Sequence, residues 1–186
     1  MNDNWIVAKA SVIGASHIKE NLPCQDSHGY KFFSEDNFGI AVVSDGAGST
    51  EFSHLGSGEV VQQVIEKFSK LTKEETFHLN APELSIWNKK SVEVFKSILT
   101  ALKEFAEEEK INYKSLAATA IVIIITPYGL LTTHIGDGRA GYLNEKGEWL
   151  SCITPYKGEL ANETVFITSD FWEDENFEKF IKCRII

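Results

Sequence analysis

Apolar and polar residues alternate through the first part of the chain, then change period in the middle. Ile6, Ala8, Ala10 and Val12 fall on one alternating face, which predicts a strand over residues 5–13. Residues 27–33 and 38–43 are two further strand candidates, and Glu35-Asp36-Asn37 between them supplies turn chemistry. From residue 53 the spacing becomes helical. Val60, Val61, Val64, Ile65, Phe68 and Leu71 line one face of an amphipathic helix over 53–71. Residues 72–88 are polar and hold Pro82, so an irregular connection is expected there. Val92, Phe95, Ile98, Leu99, Leu102, Phe105 and Ala106 mark a second helix, which closes in Glu107-Glu108-Glu109.

Strand patterns then return. Residues 116–126 are β-branched and nearly all apolar, and Pro127-Tyr128-Gly129 turns the chain into 130–135. Residues 139–143 and 148–152 follow around the turn Asn144-Glu145-Lys146-Gly147, and 164–168 is a short last candidate. A doubly wound parallel sheet needs helices between successive strands, whereas here the strands are grouped around one helix pair. The order predicts an α+β fold: an antiparallel β-sandwich flanked by helices, as one domain over residues 1–186. Phe177, Phe180, Ile181, Ile185 and Ile186 form an apolar pattern that stops with the chain, so the domain is expected to be incomplete at its C-terminal side.

Composition narrows the function. A chain of 186 residues with 43% hydrophobic residues has enough material for a core. The net charge of −9 argues against a nucleic-acid partner, since phosphate backbones require a basic face. It leaves a phosphorylated substrate open, because a bound cation can invert the local field. Cys24, Cys152 and Cys183 are sparse and odd in number, without the spacing of a disulfide framework or a zinc knuckle. No basic segment leads into an apolar one at the N-terminus, and the apolar run over 120–125 is too short to span a bilayer. A reduced, cytoplasmic protein without a membrane partner is the expectation.

Two apolar strands run directly into an Asp-Gly unit. Residues 39–43 lead into Ser44-Asp45-Gly46-Ala47-Gly48-Ser49, and 130–135 lead into Gly136-Asp137-Gly138-Arg139. A carboxylate delivered by a buried strand to a glycine-lined rim suits a hard divalent cation. Asp-Gly is equally a hairpin turn, with Arg139 then pairing to Asp137, so both readings stand for each unit. Pro23-Cys24-Gln25-Asp26 precedes a strand, and Asp26 either adds charge to such a site or is a solvated flank. Cys24 has no basic neighbour to activate it as a nucleophile.

Taken in order, Gln25-Asp26, Val43-Ser44-Asp45-Gly46-Ala47-Gly48-Ser49, Ala117-Ala118-Thr119-Ala120 and Ile135-Gly136-Asp137-Gly138-Arg139-Ala140-Gly141-Tyr142-Leu143 resemble the metal-dependent protein phosphatases of the protein phosphatase 2C type. That family carries an acid-Asp pair, an Asp-Gly-x-Gly, a small-Thr-Ala strand and a Gly-Asp-Ser-Arg. The match covers roughly residues 5–168 by motif order. Gln-Asp in place of the acid pair, the Ala-Gly-Ser ending and the later Gly158-Glu159-Leu160-Ala161-Asn162-Glu163-Thr164 resemble a bacterial subgroup.

The resemblance implies hydrolysis of phosphoserine and phosphothreonine esters on proteins, with two or more Mg2+ or Mn2+ ions and a water nucleophile. It implies that Asp45 bridges metals, with the Gly46 carbonyl on one of them, Asp26 as a nearby acid, and Asp137 assisting a further ion. Family members grip phosphate with an arginine near the first strand. His17 stands at that spacing here, with Lys19 as a spare cation and Asn21 as the alternative when counting back from Asp26. Ala47 replaces a histidine that some members use as general acid, which leaves leaving-group protonation to water or a residue such as His54. The family completes its metal set with a later Ser-Asp-Gly and an Asp-Asn. Ser169-Asp170 resembles the former with Phe171 in place of glycine, making Asp170 a candidate ligand; on the alternative alignment the chain ends before both. The implied partners are a phosphoprotein substrate and a cognate serine/threonine kinase. The alternative function is a non-catalytic phosphatase-like module that binds phosphorylated partners or regulates a kinase.

Overall fold

The computed structural model describes residues 6–156 and 164–186. In chain order the elements are α1 (Ala15–Glu20), β1 (Ser27–Phe33), β2 (Phe38–Ser44), α2 (Ser53–Glu74), α3 (Leu84–Glu109), β3 (Ala120–Thr126), β4 (Gly129–Ile135), β5 (Gly141–Leu143), β6 (Trp149–Ser151) and β7 (Lys182–Ile185). Five strands form one antiparallel sheet in the order β1-β2-β3-β4-β7, and β5 pairs with β6 in a separate ribbon. The α+β class and the antiparallel sheet with flanking helices are as the sequence predicts.

Strand alternation sorts β3 onto two cores. Ala120, Val122 and Ile124 face the helices with Ile40, Val42, Leu131 and Ile135. There they meet Val60, Val64 and Phe68 of α2 and Trp87, Phe95, Ile98 and Leu102 of α3, all fully buried. Trp87 is accommodated because its indole N–H donates to the Thr132 carbonyl at 2.9 Å. Ile121 and Ile123 point to the other face, against Cys152, Ile153, Ala140 and Tyr142 at the β5–β6 ribbon. Among the described residues, the second layer of the predicted sandwich is thus a two-stranded ribbon rather than a full sheet.

Several boundaries differ from the sequence reading. Residues 6–13 join no ladder; Ile6 is 94% and Val12 79% exposed. The segment lies along β1 through a Ser11 Oγ–His28 Nδ1 hydrogen bond of 2.8 Å and Lys9 above the Tyr30 ring. The expected irregular stretch 72–88 is mostly helical: α2 runs to Glu74, and α3 starts two residues after Pro82 because Trp87 must enter the core. Tyr113–Leu116 is a short 3-10 turn before β3 begins at Ala120. Of the stretch 139–143, only Gly141–Leu143 is strand. Residues 164–168 form no ladder, although Ile167 is buried and its amide donates to the Ala118 carbonyl at 3.0 Å. The C-terminal apolar residues supply β7, which pairs with β4 from Leu131↔Ile185 to His134↔Lys182. The motif over 158–163 lies outside the described residues.

Candidate functional site

The candidate residues gather because four neighbouring strands begin or end along one edge of the sheet. The β1–β2 ladder closes at Ser27↔Ser44, so Asp26 and Asp45 stand opposite one another one step beyond it. The β2–β3 register continues past its last strand pair to an isolated bridge, Gly46↔Ala118, which sets Asp45 against Thr119. The β3–β4 ladder ends at Ala120↔Ile135, so Gly136 falls beside Thr119 and Asp137 follows it.

Thr119 locks this edge. The Asp45 amide donates to Thr119 Oγ1 at 3.0 Å, the Thr119 amide donates to the Asp45 carbonyl at 2.9 Å, and Ser44 Oγ donates to the Thr119 carbonyl at 2.7 Å. The joint continues through Ala47, whose amide reaches the Ala117 carbonyl at 2.9 Å, and Gly46, whose amide reaches the Gln25 carbonyl at 3.2 Å. Residue 46 must be glycine for steric reasons: a Cβ there would stand 2.5 Å from the Gln25 carbonyl and 2.8 Å from the Ser53 carbonyl. Gly136 is needed for another reason. Its φ of +115° is unfavourable for side chains, and a Cβ would meet Thr119.

Three acidic groups act on one another here. Partial burial, then a hydrogen bond to Asp26 and the charge of Asp26, then the charge of Asp137, push the Asp45 carboxyl up to about 6. In the absence of a cation Asp45 thereby favours its protonated form. Asp137 is exposed, and its Oδ2 accepts from Thr164 Oγ1 at 2.9 Å.

The cleft beside these groups has two compartments, both lined by Asp26 and Asp45. One of about 280 Å3 is bordered by Val12, Gly14, His17, Cys24 and Gly48. The other, about 310 Å3, is bordered by Ser11, His28, Thr119, Gly138 and Arg139. His17 therefore borders the compartment that the carboxylate pair also lines, from α1, a six-residue helix with no buried side chain. Asn21 is the left-handed cap of α1 rather than a member of the cleft lining. His54 is the second residue of α2 and lines neither compartment.

Asp170 is not brought to the group. It forms an exposed ion pair with Lys114 at 2.7 Å, and it is not among the charges acting on Asp45. Among the described residues, no three His, Cys, Asp or Glu side chains lie close enough to hold one metal ion. The donor chemistry nonetheless suits Mg2+ or Mn2+, which take one or two carboxylates and keep several waters. Asp45 and Asp26 are such a pair, and a cation would offset both the burial and the repulsion that raise Asp45. Sequence reasoning placed Thr119 in the small-Thr-Ala motif of the resemblance but gave it no role of its own.

Comparisons with known proteins bear on the family and the fold. A family model described as protein phosphatase 2C matches residues 13–182. Serine/threonine-protein phosphatase 3 of Escherichia coli (strain K12) is 30% identical over 171 residues, covering 90% of this chain and 64% of the relative. Two crystal structures of a bacterial serine phosphatase, each bearing a single arginine substitution, superpose with TM-scores of 0.54 and 0.55 at 18% identity. Each match covers 78% of this chain and 59% of the other. The chain thus spans under two thirds of the length of these relatives.

Proposed function

The chain belongs to the protein phosphatase 2C family, and from that premise we propose that it hydrolyses phosphoserine and phosphothreonine esters on proteins with the help of Mg2+ or Mn2+. The observation that carries the reading is the meeting of Asp26 and Asp45 at one sheet edge, with Asp137 close enough to raise the same carboxyl.

Asp45, the Gly46 carbonyl and Asp26 would hold the divalent ion, and Asp137 would assist a further one. A cation held there activates water as a nucleophile and offsets the charge of the phosphoryl group. Without a cation Asp45 favours its proton up to about pH 6, so binding of the divalent ion would compete with that proton. Thr119 and Ser44 fix the backbone that carries Asp45, so the carboxylate is aimed before substrate arrives. His17 borders the same cleft and is placed to contact the phosphoester. The substrate class implies a serine/threonine kinase as the enzyme that produces it.

A second reading is favoured by one observation, the absence of a three-ligand group among the described residues. On that reading the chain binds phosphorylated partners without turning them over. Mn2+-dependent release of phosphate from a phosphothreonine peptide, measured beside Asp45→Ala, separates the two. Turnover at least about 100-fold above the variant supports the phosphatase. Equal rates, with peptide binding retained, support the binding module.

No helix among the described residues is long and apolar enough to cross a membrane.

A further inference from the structure

We propose that Arg139 grips the phosphoryl group, its guanidinium donating to the non-bridging oxygens from the wall of the Asp26–Asp45 cleft. This rests on the phosphatase reading above and names a phosphate-binding residue for it.

The chain has two arginines. Arg184, on β7, spends Nη1 on the Ser151 carbonyl at 2.8 Å. Arg139 is exposed beside the carboxylates, and among the described residues its side chain makes no ion pair or hydrogen bond. The turn alternative, pairing with Asp137, is not what the structure holds: Asp137 is engaged by Thr164. The neighbouring basic side chains are committed or elsewhere. His28 Nδ1 is bonded to Ser11, Lys9 lies over the Tyr30 ring, and His17 borders the other compartment.

Within the compartment that Thr119 lines, Arg139 is therefore the permanent positive charge that is still available. The backbone that carries it runs close over the sheet: a Cβ on Gly138 would stand 2.7 Å from Ile121 Cδ1. A guanidinium presents a rigid fork of donors that matches two oxygens of a phosphoryl group, and it stays charged at any working pH. A cleft with several carboxylates repels a phosphate dianion, so a fixed cation at its wall helps to draw the substrate in.

The test compares wild type, Arg139→Ala and Arg139→Lys in Mn2+. Calorimetry reads the affinity for inorganic phosphate and for Mn2+, kinetics read KM and kcat for p-nitrophenyl phosphate, and melting reads the fold. The expected result is phosphate affinity weakened and KM raised about tenfold or more in Arg139→Ala. Arg139→Lys should fall between, with kcat less affected than KM and with Mn2+ affinity and thermal midpoint unchanged. Unchanged phosphate affinity in Arg139→Ala overturns the proposal, as does a wild type that binds no phosphate. A parallel loss of Mn2+ affinity also overturns it, since Arg139 would then act through the carboxylates. Arg139-dependent phosphate binding without turnover sustains the site while defeating the phosphatase reading.

Discussion

Two Asp-Gly units end two strands of the same sheet, and the structure treats them differently. Asp45 is clasped through its backbone by Thr119, followed by a glycine wedged between two carbonyls, and pressed against Asp26. Asp137 sits in the open, its carboxylate held by the Thr164 hydroxyl and its glycine beside the flexible end of Ile121. The same dipeptide is a rigid anchor in one place and an adjustable arm in the other. Neighbours, rather than the motif, decide which.

The largest effect that would sharpen this contrast is on turnover. Asp45→Ala should lower Mn2+-dependent kcat at least about 100-fold, and Asp137→Ala only about tenfold, in a phosphopeptide assay. Comparable losses would dissolve the distinction. Next come the glycines. Gly46→Ala forces a methyl onto two backbone carbonyls and should cost about 3 kcal/mol in urea denaturation, whereas Gly138→Ala need only displace a side-chain tip and should cost no more than about 1 kcal/mol. Thr119→Val keeps shape but leaves the Asp45 amide without its hydroxyl partner; a loss of about 1–2 kcal/mol is expected, with Thr119→Ser near wild type.

The smallest effect concerns pH. A carboxyl raised from 3.8 to about 6 in the fold keeps its proton where the unfolded chain would have lost it. The metal-free protein should therefore lose stability as pH rises through that window. Because Asp45 is exposed to the cleft, the loss should be only on the order of 1 kcal/mol after solvent screening. Asp45→Asn should remove this pH dependence in chelator-treated protein and be slightly more stable at pH 7, while Asp137→Asn should leave it in place. A wild type whose urea midpoint is flat from pH 4 to pH 7 would contradict the coupling of Asp45 to Asp26.

The carboxylates were legible in the sequence because a charged residue that ends an apolar strand breaks a strong pattern. The role of Thr119 was not, although the residue stands in one of the motifs, because a hydroxyl in a β-branched strand looks like any threonine until its register against Asp45 is known. The strand predicted over 5–13 failed for a related reason: alternation reports two faces, but a ladder also needs an edge to join. Trp87 shows the converse. Its polar surroundings hid a helix start that the core, and the Thr132 carbonyl waiting for its indole, impose. Asp170 followed an apolar stretch like the other acids, yet Lys114 at 2.7 Å claims it.

The edge that assembles the site joins pieces of very different reach along the chain. Asp26 and Asp45 are brought together by a local hairpin turning at residues 34–37, a contact that costs little chain entropy. The bond from the Asp45 amide to Thr119 spans 74 residues and closes a loop that contains the whole helix pair. The acidic pair therefore rests on a contact of low closure cost, and the clasp on one of high closure cost. The Asp45 amide proton is thus a natural reporter of completed assembly: its exchange with solvent follows the opening of the β2–β3 joint, not the fraying of the hairpin.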